Sequence, residues 1–179
     1  KGWNGWQPLK PASGLPDNLI GSAVEGGKAY VFWIASDGWV NYRVRGQDGH
    51  WARYWLPVGN TNARPWNGVP GGAVHAVSCQ PGTLHVFYTD RQGGILAVRG
   101  NTTSAPGWPH SQWIKGCKTI AGGHVTAVSR CQGQVDAFVV GTDGRVYTAA
   151  WNAQDNWSNW RVVKEGLIAK PGSYISAVS

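Results

Sequence analysis

Eight of the twelve tryptophans in this 179-residue chain fall into four pairs, Trp3/Trp6, Trp51/Trp55, Trp108/Trp113 and Trp157/Trp160. An indole face lies well against the apolar C–H face of a pyranose ring, while the ring's hydroxyls require polar partners in fixed places. Concave sites for small molecules combine those two features. Strand faces alternate with a period of two, so a pair spaced three to five residues apart is not easily all core. One member of each pair is expected to pack, leaving the other for a ligand. Trp39, Tyr42, Tyr147 and Trp151, with Arg43 and Arg145 beside them, extend the set. The candidate sugar-binding residues are therefore Trp39, Tyr42, Arg43, Trp55, Trp113, Arg145, Tyr147, Trp151, Trp157 and Trp160.

Other chemistries find less support. Of the nine acidic residues, Asp37, Asp90 and Asp143 recur 53 residues apart, each in a turn-like context, and the rest keep no common phase. No paired general acid and base is suggested, and no catalytic residue is assigned. His50, His75, His85, His110 and His124 lack metal-ligand spacing, and no glycine-rich loop leads into a helix, so neither metal nor cofactor is expected. Lys and Arg number 16 against 9 Asp and Glu, a net charge of +7 that favours anionic partners such as acidic polysaccharide or nucleic acid. The basic residues are scattered singly, and aromatics that repeat suit several small pockets better than one nucleic-acid groove. A non-catalytic scaffold that displays loops to a protein is the remaining alternative. No apolar run approaches the ~18 residues of a membrane helix, so membrane insertion is not expected. Asn101-Thr102-Thr103 and Asn156-Trp157-Ser158 are acceptor sequons, and with three cysteines they lean towards a secreted setting.

The elements that must position these residues are set by a repeat. Ala23, Ala76, Ala127 and Ala177 sit in similar short apolar segments at steps of 53, 51 and 50 residues. Within the third unit, 124–129, 135–140, 145–151 and 157–163 read as four strands, with Asp143-Gly144 as the hairpin between the middle two. Four short antiparallel strands in roughly 50 residues is the pattern of a β-propeller blade. The expected fold is all-β, with blades over 19–60, 70–117 and 122–168. Residues 1–10 read as the last strand and 171–179 as the first strand of a split blade. The middle strands of that blade are absent, so about half of a larger ring is expected, completed by further chain or by a second copy in an oligomer. An insertion over 101–112 is expected to reshape one pocket. Cys79 and Cys131 fall at the first-to-second-strand turns of consecutive blades, and Cys117 before a first strand. That placement allows a Cys79–Cys131 disulfide if the Cα atoms come within ~7 Å, and argues against a bond from Cys117.

The segments 125–130, 138–148 and 157–160 resemble a blade of the seven-bladed propeller lectins of the Photorhabdus type, and 2–6 and 171–179 fit the same consensus. The resemblance implies a seven-bladed ring that binds fucose or O-methylated sugars of cell-surface glycans or glycoconjugates between blades. Six-bladed fungal fucose lectins, a related group, carry an Arg and a Glu in each pocket. Here the positions before the second-strand phenylalanines hold Tyr30, His85 and Asp136, so that pair is not carried over.

Overall fold

The computed structural model describes residues 19–59, 68–103, 107–154 and 156–178. All regular structure among them is antiparallel β-sheet. The first blade contains β1 (Gly21–Glu25), β2 (Lys28–Ile34), β3 (Val40–Arg45) and β4 (Leu56–Pro57). The second contains β5 (Val74–Gln80), β6 (Thr83–Thr89), β7 (Gly94–Asn101) and β8 (Gly107–Lys118). The third contains β9 (Val125–Cys131), β10 (Gln134–Val140), β11 (Val146–Asn152) and a fourth strand in two pieces, β12 (Asn156–Trp157) and β13 (Arg161–Val162), both paired with β11. In each sheet the strands neighbour one another in chain order. The fold is all-β as expected, and residues 1–10, expected as the last strand of a split blade, lie outside the described residues.

The recurring aspartates close the hairpins between second and third strands, as their spacing suggested. Asp37 Oδ1 accepts from Trp39 N at 2.9 Å, Asp143 Oδ1 from Arg145 N at 3.0 Å, and Asp90 Oδ1 from Gln92 N and Gly94 N at 2.8 and 2.6 Å. Such side-chain bonds imitate a backbone turn. Gly38 and Gly144 follow with φ of 86° and 79°, a region that a side chain would strain.

Alternation along the strands gives each blade two apolar faces, and the core lies between blades. Tyr30, Phe32, Ile34, Val40 and Tyr42 of the first blade meet Leu84, Val86, Tyr88, Leu96 and Val98 of the second. The opposite face of the second blade, with Phe87, Ile95 and Ala97, meets Val135, Ala137, Val139, Ala149 and Trp151 of the third. Polar ties repeat from blade to blade. The hairpin N–H of Gly82 donates to Glu25 at 2.6 Å, and that of Gly133 to the Cys79 carbonyl at 2.9 Å. Segment 173–178, expected as a first strand, pairs with no strand among the described residues. It runs beside β9, where Thr126 Oγ1 donates to the Ile175 carbonyl at 2.5 Å.

All three cysteines are free thiols. Cys79 is buried and Cys131 exposed, and the disulfide that the sequence allowed between them is not formed.

Candidate site between the second and third blades

The hairpin β6–β7 sets His85 directly opposite Arg99, and Phe87 opposite Ala97. All four point to the third blade, because residues two apart share a strand face. From that blade come Trp151 on β11 and Trp157 on β12, and from the long strand β8 come Ser111 and Gln112. With Pro109 and Asn156, all of these but the buried Phe87 line a hollow of about 280 Å³. Residues 107–112 of the insertion thus lie in β8, and Pro109, Ser111 and Gln112 supply one wall. A second hollow of about 290 Å³ is lined by Gln80, Thr83, Gly100 and Asn101, and it shares Arg99 and Pro109 with the first.

Trp151 is nearly buried and forms the floor. Its ring lies 4.5 Å from that of His85, and the Arg99 guanidinium stands 5.4 Å from its centroid. Trp157 is half-buried and offers the accessible indole surface, with one side edge-on to Phe87. His85 is 1% exposed, and its Nε2 has no hydrogen-bond partner. Burial, helped by the Arg99 charge, pushes its imidazole down to about 3, so it is neutral at pH 7. The hollow therefore combines aromatic surface, one permanent cation, a neutral imidazole, and the amides and hydroxyl of Asn156, Gln112 and Ser111. Three or more His, Cys, Asp or Glu side chains placed to hold a metal occur nowhere among the described residues.

Two of the sequence candidates, Trp151 and Trp157, meet in this site, and the others lie elsewhere. Tyr42 is 3% exposed and packs on Phe32 and Trp108, with centroids 6.0 and 5.4 Å away. It fills the space between the first and second blades that Ala97 leaves open between the second and third. Arg43 donates from Nε to the Ala52 carbonyl at 2.7 Å and lies 5.9 Å from the Trp55 ring, which in turn meets Trp33 at 5.7 Å. Trp39 sits at the Asp37 turn. Trp113 is 39% exposed and lines a separate hollow of about 540 Å³ with Asp90, Ile95, Lys115 and Cys117. Tyr147 donates to Asp143 Oδ2 at 2.7 Å, which holds that carboxyl below its usual range, and Arg145 stands 3.8 Å from the same oxygen. Trp160 Nε1 donates to the Ile114 carbonyl of the second blade at 3.1 Å, a structural tie. His85, Arg99, Ser111 and Gln112 were missed as site residues. A usable signal existed for two of them, since counting back from the Asp90 turn places His85 against Arg99.

No family model matches the sequence, and no curated protein matches it. Solved structures do match. The chain is similar to the BP39L lectin from Burkholderia pseudomallei, with a TM-score of 0.74 and 21% identity over 90% of this chain and 46% of that one. It is similar to the Aleuria aurantia lectin, described as a six-bladed β-propeller with a novel mode of fucose recognition, with a TM-score of 0.61 and 17% identity over 90% and 50% of the two chains. AofleA from Arthrobotrys oligospora gives a TM-score of 0.60 and 16% identity over 83% and 42%. At these identities the likeness shows the fold, that of a β-propeller. The chain spans about half the length of the solved chains it matches.

Proposed function

We propose that this protein is a non-enzymatic, carbohydrate-binding lectin whose sugar sites lie between blades. The observation that supports it most is the hollow where Trp157 and Trp151 meet Arg99, His85, Ser111 and Gln112. Aromatic surface beside several fixed polar groups suits a sugar ring with one apolar face and a hydroxylated rim. The similarity in fold to lectins adds to this reading. Fucose and O-methylated sugars are the ligands that the sequence resemblance suggests, and a methyl group would find apolar surface on Trp157. A secreted location, glycans of cell surfaces as partners, and completion of a seven-bladed ring by further chain or a second copy belong to the same proposal. Several sites on one ring would add avidity to weak single sites.

A glycan array, followed by titration calorimetry with the best soluble sugar, tests the proposal. Sugar-inhibitable binding is expected, weakened severalfold by Gln112→Ala. A folded protein that binds no saccharide at millimolar concentration would refute it.

A further inference from the structure

Arg99 is the unusual member of the site. The residue in register with it is Val44 in the first blade, opposite Tyr30, and Ala150 in the third, opposite Asp136. Packing between blades therefore does not require a cation at this position. Arg99 is half-buried, and no carboxylate among the described residues pairs with it. Among the described residues, no Asp or Glu lines either of the two hollows that it joins. His85, the neighbouring titratable group, is neutral and adds no second charge. A partly desolvated guanidinium without a counter-charge is costly, and an oxyanion that accepts its N–H groups offsets that cost. The second hollow adds Gln80, Thr83 and Asn101, whose amides and hydroxyl match the hydroxyls of an adjoining sugar.

We propose that the site takes an acidic saccharide, its carboxylate or sulfate held by Arg99 where the two hollows meet. One sugar ring lies against Trp157 in the first hollow, and its neighbour runs over Thr83 and Asn101 in the second. This rests on the lectin reading above and narrows it to a class of ligand. The guanidinium fork accepts either oxyanion, so the shared chemistry is an anionic group on a sugar.

The test uses the full chain and matched pairs of saccharides: a uronic acid glycan with its neutral counterpart, and a sulfated glycan with its unsulfated twin. Titration should show at least about a tenfold preference for the acidic member, shrinking as salt is raised. The uronate and sulfate arms identify which oxyanion is held. Arg99→Gln should erase the preference, whereas Arg53→Gln, an exposed arginine outside the site, should keep it. Should Arg99→Gln fail to fold, Arg99→Val adopts the residue of the first blade, and the wild-type comparison needs no variant. Equal or weaker binding of the acidic members overturns this inference while leaving the lectin reading in place. Absence of all saccharide binding overturns both. A single-stranded oligonucleotide that binds more tightly than any acidic saccharide overturns it in favour of nucleic acid.

Discussion

Trp157 of the third blade stands edge-on to Phe87 of the second, with ring centroids 5.6 Å apart and planes at 85°. Trp108 and Phe32 repeat the arrangement one blade earlier, at 6.0 Å and 85°. Trp108 and Trp157 are thus staples onto the phenylalanine of the preceding blade, and edge-to-face geometry suits the opposed quadrupoles of the rings. Phe87 is fully buried, and Phe87→Ala is expected to destabilise the protein by about 3–5 kcal/mol. Urea unfolding measures it, and a loss below 1 kcal/mol would mean that the staple carries little.

Gly100 leaves room for the Trp108 ring. A Cβ at this position would clash with Cε3 of the Trp108 ring. In the third blade the matching position is Trp151, opposite Val135. Gly100→Ala should push Trp108 off Phe32 and Tyr42 at a cost of roughly 1–3 kcal/mol. A lowered unfolding midpoint with a red-shifted tryptophan emission is expected, and unchanged values of both would contradict the packing described.

Acid should weaken the fold through histidine. The unfolded chain binds protons below about pH 6.5, whereas His85 stays neutral until about pH 3 when folded. His75 and His124 are also lowered by burial. The contribution of His85 is therefore complete above pH 6.5 and falls as pH drops towards 3, by up to about 1.4 kcal/mol per unit. Denaturant melts at pH 7, 5 and 4 should show this slope, and His85→Phe should flatten it. A variant with the wild-type slope would remove His85 as its source.

Both sequon asparagines face the site: Asn156 lines the first hollow and Asn101 the second. Protein carrying an N-glycan on either should lose saccharide binding, and enzymatic removal of the glycan should restore it. Intact mass and titration before and after deglycosylation decide this. Undiminished binding by fully glycosylated protein would place the ligand elsewhere.

Much of this architecture was legible because it is local. The Asp37, Asp90 and Asp143 turns and the strands around Ala76 and Ala127 follow from short-range chemistry, and the equal steps between them give the blades. The site was less legible because its walls come from different blades. Whether Trp151 looks into a hollow or Tyr42 plugs one depends on the side chain that the adjacent sheet offers, Ala97 in one case and Trp108 in the other. Spacing along one strand does not carry that information. Trp160 illustrates the limit: its repeat position matched a pocket residue, yet its indole N–H is committed to the Ile114 carbonyl.

Of the two interfaces between described blades, Tyr42 plugs the first and the second is open. A particle with one open slot coats a glycan surface without bridging it, so such a particle clumps no cells. Agglutination would then count how many open slots are joined in one assembly, two being the least that bridges. A mixture of joined and single chains would agglutinate poorly while binding soluble sugar at full strength.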